Sequence, residues 1–155
     1  MNDIPKRKSI RLKDYDYSVS GVWFITICTA NREKLFWHCV GADTIRPEAL
    51  PLSKTGQIAE QAISQIPKYY NNISVDTFCI MPDHIRILLR MEPNMDGRMI
   101  SAPTLSTVIG SLKRWTSRQV GRPIWQKSFY DHGIRNQQDY DRIWEYIEYN
   151  PLKYL

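Results

Sequence analysis

The sequence predicts an α+β fold: an antiparallel sheet with helices mainly on one face and an added C-terminal helix. Three observations carry this. Val22-Trp-Phe-Ile-Thr-Ile-Cys28 is a β-rich run with little polar interruption, as a central strand buried on both faces requires. Residues 84–90 alternate strictly, Ile85, Ile87 and Leu89 to one face and His84, Arg86, Leu88 and Arg90 to the other. Three apolar stripes recur at helical spacing, the last of them near the C-terminus.

Taken in order, residues 1–20 read as an extended basic lead-in to one domain spanning 1–155. The run at 22–28 is broken by Asn31-Arg-Glu-Lys34, and 37–52 lack clear periodicity. Ile58, Ala59, Ala62, Ile63 and Ile66 mark a helix from Ser53 to Tyr70 that ends near Asn71-Asn72. Strands at 73–80 and 84–91 flank Met81-Pro82-Asp83, and 92–103 is a loop. Thr104 can cap a helix with Leu105, Val108, Ile109 and Leu112 on its buried side, closing at Gly121-Arg122-Pro123. Arg114 and Arg118, four apart, share its outer face. A strand-like stretch from Ile124 to Ile134 precedes a final helix over 137–149, with Tyr140, Ile143, Trp144 and Ile147 inward and Pro151 as its stop. The order β-α-β-β-α-β-α is a ferredoxin-like arrangement with one helix added.

Composition bounds the function. The chain has 155 residues, 43% of them apolar and 24% charged, enough for one folded core. No apolar run is long enough to span a bilayer and no secretory leader is evident, so the cytoplasm is expected. Cys28, Cys39 and Cys79 are odd in number and widely spaced, which argues against a disulfide framework and a thiolate zinc site. The net charge is +5. Its placement says more: no acidic residue occurs from 97 to 130, where Arg98, Lys113, Arg114, Arg118, Arg122 and Lys127 all fall. Lys6, Arg7, Lys8, Arg11 and Lys13 form a second cluster. Trp115, Trp125, Phe129 and Tyr130 lie in or beside the first of these regions. Charge for a backbone and rings for exposed bases suit single-stranded nucleic acid.

Two side chains could do chemistry. Tyr146 lies at the flank of the last helix's apolar stripe, with Asn150 one turn later on nearly the same side. Taken alone it is a packing residue, one of nine tyrosines. His84 follows a turn, where a lone histidine is ordinarily a hydrogen-bonded structural group. A His-x-His pair on a strand would offer two imidazoles to one ion, but the second place here is Arg86, which has no lone pair to give.

Four segments together resemble one family. Residues 81–90, Met-Pro-Asp-His-Ile-Arg-Ile-Leu-Leu-Arg, are similar to the M-P-x-H-x-H-x-L-L segment of the IS200-like, single-tyrosine HUH transposases. Residues 125–135, Trp-Gln-Lys-Ser-Phe-Tyr-Asp-His-Gly-Ile-Arg, and 146–151, Tyr-Ile-Glu-Tyr-Asn-Pro, resemble the branch associated with repetitive extragenic palindromes (REP). The start, Arg11 to Ser18 with Phe24 to Thr29, reads the same way, so the likeness covers essentially the whole chain.

The resemblance implies that Tyr146 is a nucleophile that cuts single-stranded or hairpin DNA, leaving a 5′-phosphotyrosine and a free 3′-hydroxyl, and rejoins strands without a nucleotide cofactor. It implies a divalent metal, Mg²⁺ or Mn²⁺, with His84 and Asn150 as ligands. It leaves monomer and homodimer open. Lys113, Arg114, Arg118, Arg122, Lys127 and Arg135 are the expected DNA-binding residues. Arg86 stands where the family has its second histidine, and two outcomes follow. Either its guanidinium contacts the scissile phosphate itself, or the protein is a catalytically impaired or co-opted DNA-binding relative. An RNA-binding sheet and a small metabolic enzyme fit less well: no RNP-type strand motif, Gly-rich phosphate loop or paired catalytic carboxylates are present.

Overall fold

The computed structural model describes residues 21–38, 52–92 and 105–149. The basic lead-in, most of the 92–103 loop, Thr104, Cys39, Asn150 and Pro151 lie outside them. The expected element order is present. Strand β1 spans Val22–Cys28, helix α1 Lys54–Tyr69, β2 Ile73–Met81, β3 His84–Met91, α2 Leu105–Val120, β4 Tyr130–Gly133 and α3 Gln137–Tyr149. The four strands form one sheet in the order β2-β3-β1-β4, and every neighbouring pair is antiparallel.

The period of two seen in the sequence decides what each face carries. Ile25, Ile27, Ile85, Ile87 and Leu89 point toward α1 and α2, where they meet Ala59, Ile63, Ile66, Val108, Ile109 and Leu112 in the main core. Val22, Cys79, Met81 and Leu88 point the other way and pack with Ile134, Ile143 and Ile147 beneath α3. So α1 and α2 share one face, and the added helix covers part of the opposite one. A bilayer-spanning helix is not found among the described residues.

Local chemistry sets the ends of α1. The Ser53 hydroxyl accepts the Gly56 N–H at 3.0 Å, satisfying one of the free donors of the first turn. The Pro82-Asp83 turn joins β2 to β3, with Met81 paired to His84.

The strand expected over 124–134 is shorter than the sequence suggests. Thr26 pairs with Tyr130, but the next contact is an isolated bridge between Thr29 and Trp125. Between these two pairs, Ile27 and Cys28 thus face four residues, 126–129, on the returning chain, which forms a loop there. That loop is held from below. Lys113 Nζ donates to the Gln126 and Ser128 carbonyls, each at 2.9 Å, and the Trp125 indole N–H donates to Thr116 Oγ1 at 2.7 Å.

Helix α3 is pinned through Asp76. Its carboxylate accepts from Arg90 Nη2 at 2.8 Å and from the Tyr140 hydroxyl at 2.5 Å. Burial, then the carboxylate beside it, pushes the Tyr140 phenol up to about 12. A raised phenol pKa stabilises the fold fully below its ordinary value of 10 and loses that contribution as pH climbs through about 12. Tyr140→Phe is therefore expected to cost about 1 kcal/mol in urea unfolding, since the bond is only half-buried. The gap between the two proteins should be constant from neutral pH to pH 10 and narrow above it. A gap that stays constant through pH 12 would rule this bond out as its source.

Candidate active site

The site is built on the α3 side of the sheet. His84 opens β3 immediately after the turn and is 3% exposed. Its neighbours fix its protonation state. Arg86 Nε donates to His84 Nε2 at 3.2 Å, and a guanidinium cannot accept, so Nε2 is unprotonated. The proton sits on Nδ1, which donates to Asp83 Oδ1 at 2.7 Å. Burial, followed by the Arg86 and Arg32 charges, lowers the imidazole's pKa, with Asp83 opposing.

Asp83 is itself held. Arg32 Nε donates to its Oδ2 at 3.2 Å from a turn in which Asn31 and Arg32 both take positive φ, 58° and 52°. Left-handed backbone at a residue such as arginine costs on the order of 1 kcal/mol or more, so this turn stores strain while presenting Arg32 to the carboxylate. Burial works against ionisation of Asp83, but the hydrogen bonds from His84 and Arg32 and their charges hold its carboxyl below its usual value.

Arg86 links this group to the tyrosine. Its Nη1 donates to Thr26 Oγ1 at 3.4 Å, on the adjacent strand where Thr26 is its register partner. Its Cζ lies 5.0 Å from the Tyr146 ring centroid and 5.9 Å from that of Phe24. The two rings meet edge to face at 6.2 Å. Tyr146 is 40% exposed, so its ring borders solvent while covering the guanidinium. The fold thus gathers Asp83, His84, Arg86 and Tyr146 from a turn, a strand and a helix into one continuous chain of contacts.

The remaining expected residues are spread more widely. Arg114 and Arg118 are exposed on α2, across the sheet from Tyr146, and line a groove of about 450 Å³ with Tyr69, Tyr70, Ser111 and Trp115. Lys113 is committed to the two loop carbonyls, and burial lowers its pKa. Arg122 pairs with Glu33 at 3.6 Å, and Lys127 and Arg135 are exposed. Of the aromatics in the basic region, Trp115, Trp125 and Phe129 pack against the main core, whereas Tyr130 is 67% exposed.

Sequence reasoning missed Asp83, Thr26, Phe24 and Arg32 as members of the site. The signal for two of them was present. Phe24 and Thr26 share the even-numbered face of β1, and an adjacent antiparallel strand must bring that face beside His84 and Arg86.

A divalent ion does not fit the described residues in this arrangement. The one accepting lone pair of His84 is taken by a cation, and that cation stands where a second ligand would have to be. Among the described residues no three His, Cys, Asp or Glu side chains come together to hold an ion. Asn150, the other expected ligand, lies outside those residues.

An antiparallel βαββαβ sheet with a tyrosine-bearing helix on its second face defines a class of fold, and comparison with known proteins assigns the family. The family model described as transposase IS200-like matches residues 25–150, and the chain belongs to that family. It is 32% identical to an uncharacterized Haemophilus influenzae protein over 96% of this chain and 90% of that one. It is 28% identical to a putative REP-associated tyrosine transposase of the same organism, over 90% of this chain and 74% of the relative. A solved REP-associated tyrosine transposase bound to a REP hairpin superposes with a TM-score of 0.63 at 22% identity, covering 99% of this chain and 74% of that one. The ferredoxin-like expectation and the resemblance to the REP-associated branch both hold.

Proposed function

We propose that this chain binds single-stranded or hairpin DNA and cuts and rejoins it through a covalent 5′-phosphotyrosine at Tyr146. The observation that carries the reading is the stacking of the Tyr146 ring on Arg86, 5.0 Å from its centroid. A partly exposed phenol beside a fixed guanidinium meets the needs of phosphodiester transfer: an oxygen nucleophile and a positive charge for the phosphate. The covalent ester conserves the energy of the broken bond, so rejoining requires no nucleotide.

The family implies Mg²⁺ or Mn²⁺, with His84 and Asn150 as its ligands here; such an ion would polarise phosphate oxygens. The described residues do not fit an ion in this arrangement, because Arg86 occupies the His84 lone pair. The test is incubation with a labelled hairpin oligonucleotide, once with Mn²⁺ and once with EDTA, followed by denaturing electrophoresis. A covalent protein–DNA band in either lane supports cleavage. Its absence in both, with binding retained, leaves the second reading, a DNA-binding relative that does not cut. The observation favouring that reading is the occupation of the His84 lone pair by Arg86.

The groove between α1 and α2 is assigned to the DNA backbone. Arg114 and Arg118 face solvent there, whereas Lys113 is spent on structure. DNA that reaches both this groove and Tyr146 must pass around an edge of the sheet, because α2 and α3 lie on opposite faces. Charge reversal, Arg114→Glu with Arg118→Glu, is expected to lower the slope of log affinity against log salt by roughly 1.4, about 0.7 per single-strand phosphate contact. An unchanged slope in fluorescence anisotropy would place the backbone on another surface.

A further inference from the structure

We propose that Arg86 is a metal-independent phosphodiester site, in which His84 serves as the acceptor that aims the guanidinium rather than as a metal ligand. The inference rests on the DNA-strand-transfer reading above and gives that reading its phosphate-binding group. Two arginines on the same face of β3 differ in their partners. Arg90 is neutralised: Asp76 accepts from both its Nε and its Nη2. Arg86 is half-buried and has no carboxylate partner among the described residues. A buried or half-buried cation without a counter-ion is costly unless something else supplies the negative charge.

The geometry says where that charge would sit. Nε is committed to His84 and one Nη1 hydrogen to Thr26. The Phe24 and Tyr146 rings lie against the group, their centroids 5.9 and 5.0 Å from Cζ. Of the five N–H donors, the Nη2 pair and the second Nη1 hydrogen are left without a partner among the described residues. Those N–H groups are a fork that can donate side by side to two non-bridging phosphate oxygens. The fork is also stiff. His84 is nine-tenths buried or more and is itself fixed through Asp83 to Arg32, so an anchored relay stands behind the guanidinium.

The bond changes balance without a co-reactant. The Tyr146 oxygen forms a bond to phosphorus, the bond from phosphorus to the 3′ oxygen breaks, and the phenolic proton ends on that oxygen. Arg86 holds the phosphate oxygens throughout and exchanges no proton.

Two measurements on the full chain test this. The first uses Mn²⁺ alone, followed by paramagnetic broadening of the imidazole resonances of His38, His84 and His132. His84 is expected to stay sharp in the native protein and to broaden in Arg86→His, which places two imidazoles on one strand face. Selective broadening of His84 in the native protein would overturn the inference. The second measures anisotropy of a labelled oligo-thymidine strand in EDTA. Arg86→Gln is expected to weaken binding roughly tenfold or more, as loss of a charge-assisted pair does. It should also lower the salt slope by about 0.7, with Arg86→Lys recovering the slope but only part of the affinity. Native binding that is unaltered by Arg86→Gln overturns this inference and leaves the DNA-binding reading standing. No binding by the native protein overturns both.

Discussion

Replacing Tyr146 with phenylalanine is expected to abolish the covalent protein–DNA product while changing oligonucleotide affinity less than about twofold. The substitution removes one oxygen and keeps the ring. The guanidinium of Arg86 still has an aromatic face 5.0 Å away to rest on, and the edge contact with Phe24 is kept. On the proposed reading, binding rests on phosphate contacts of Arg86 and the other basic side chains and not on the phenol oxygen, so its free energy is expected to change little. Chemistry is a different matter, because on the proposed reading the lost oxygen is the atom that bonds to phosphorus. The comparison needs its own controls, since exposed phenols also occur at Tyr130 and Tyr149. Both single phenylalanine variants should retain the product. Should Tyr149→Phe or Tyr130→Phe remove the band while Tyr146→Phe keeps it, the assignment is wrong.

The second large effect is on stability and comes from a position where a side chain is missing. A Cβ at Gly56 would lie 2.2 Å from the Phe36 carbonyl oxygen and 3.0 Å from its carbon. That carbonyl already accepts the Ser53 N–H at 2.8 Å, so the first turn of α1 is bound to the segment it would have to leave. No flexible side-chain tip can move aside. Gly56→Ala is expected to destabilise by about 3 kcal/mol, at the upper end for overpacking. For a domain of this size that lowers the melting temperature by roughly 6–12 °C. Gly110→Ala supplies the contrast. Its Cβ would meet nothing nearer than Arg114 Nη1 at 3.4 Å, and a helix interior gains from alanine. Thermal melts followed by circular dichroism should shift in opposite directions. A shift in the same direction for both would remove the steric explanation.

How much of this was legible in the sequence depended on whether a feature was periodic. Alternation in residues 84–90 revealed which side chains of β3 point toward α3, and the stripe of Ile143 and Ile147 located the last helix. Both arise from repeats of two and 3.6 residues that any chain segment displays. Rotamers and register offsets leave no such trace. Arg86 reads as a lost ligand in the sequence, and only the direction of its Nε toward His84 turns it into an anchored fork. Lys113 looked like any basic residue of the region, although the loop at 126–129 claims it. Gly56 is silent for the same reason. What it permits is a close approach between segments about twenty residues apart, and composition does not record approach.

Helix α3 rests on a hydrophobic layer of its own, which has no buried member in common with the main core. Its release would therefore expose Leu88, Ile143 and Ile147 without opening the packing between the sheet and the other two helices, a sub-global opening at less than the full unfolding free energy. The chain carries its own sensor of that event. Cys79 lies under α3, 3% exposed, with its thiol pushed by burial up to about 12. Sealed there it is inert to alkylation at neutral pH, and each excursion of the tyrosine-bearing helix would wet it and return it toward ordinary thiol reactivity. The labelling rate of one cysteine would then report how often the helix that carries Tyr146 leaves its seat.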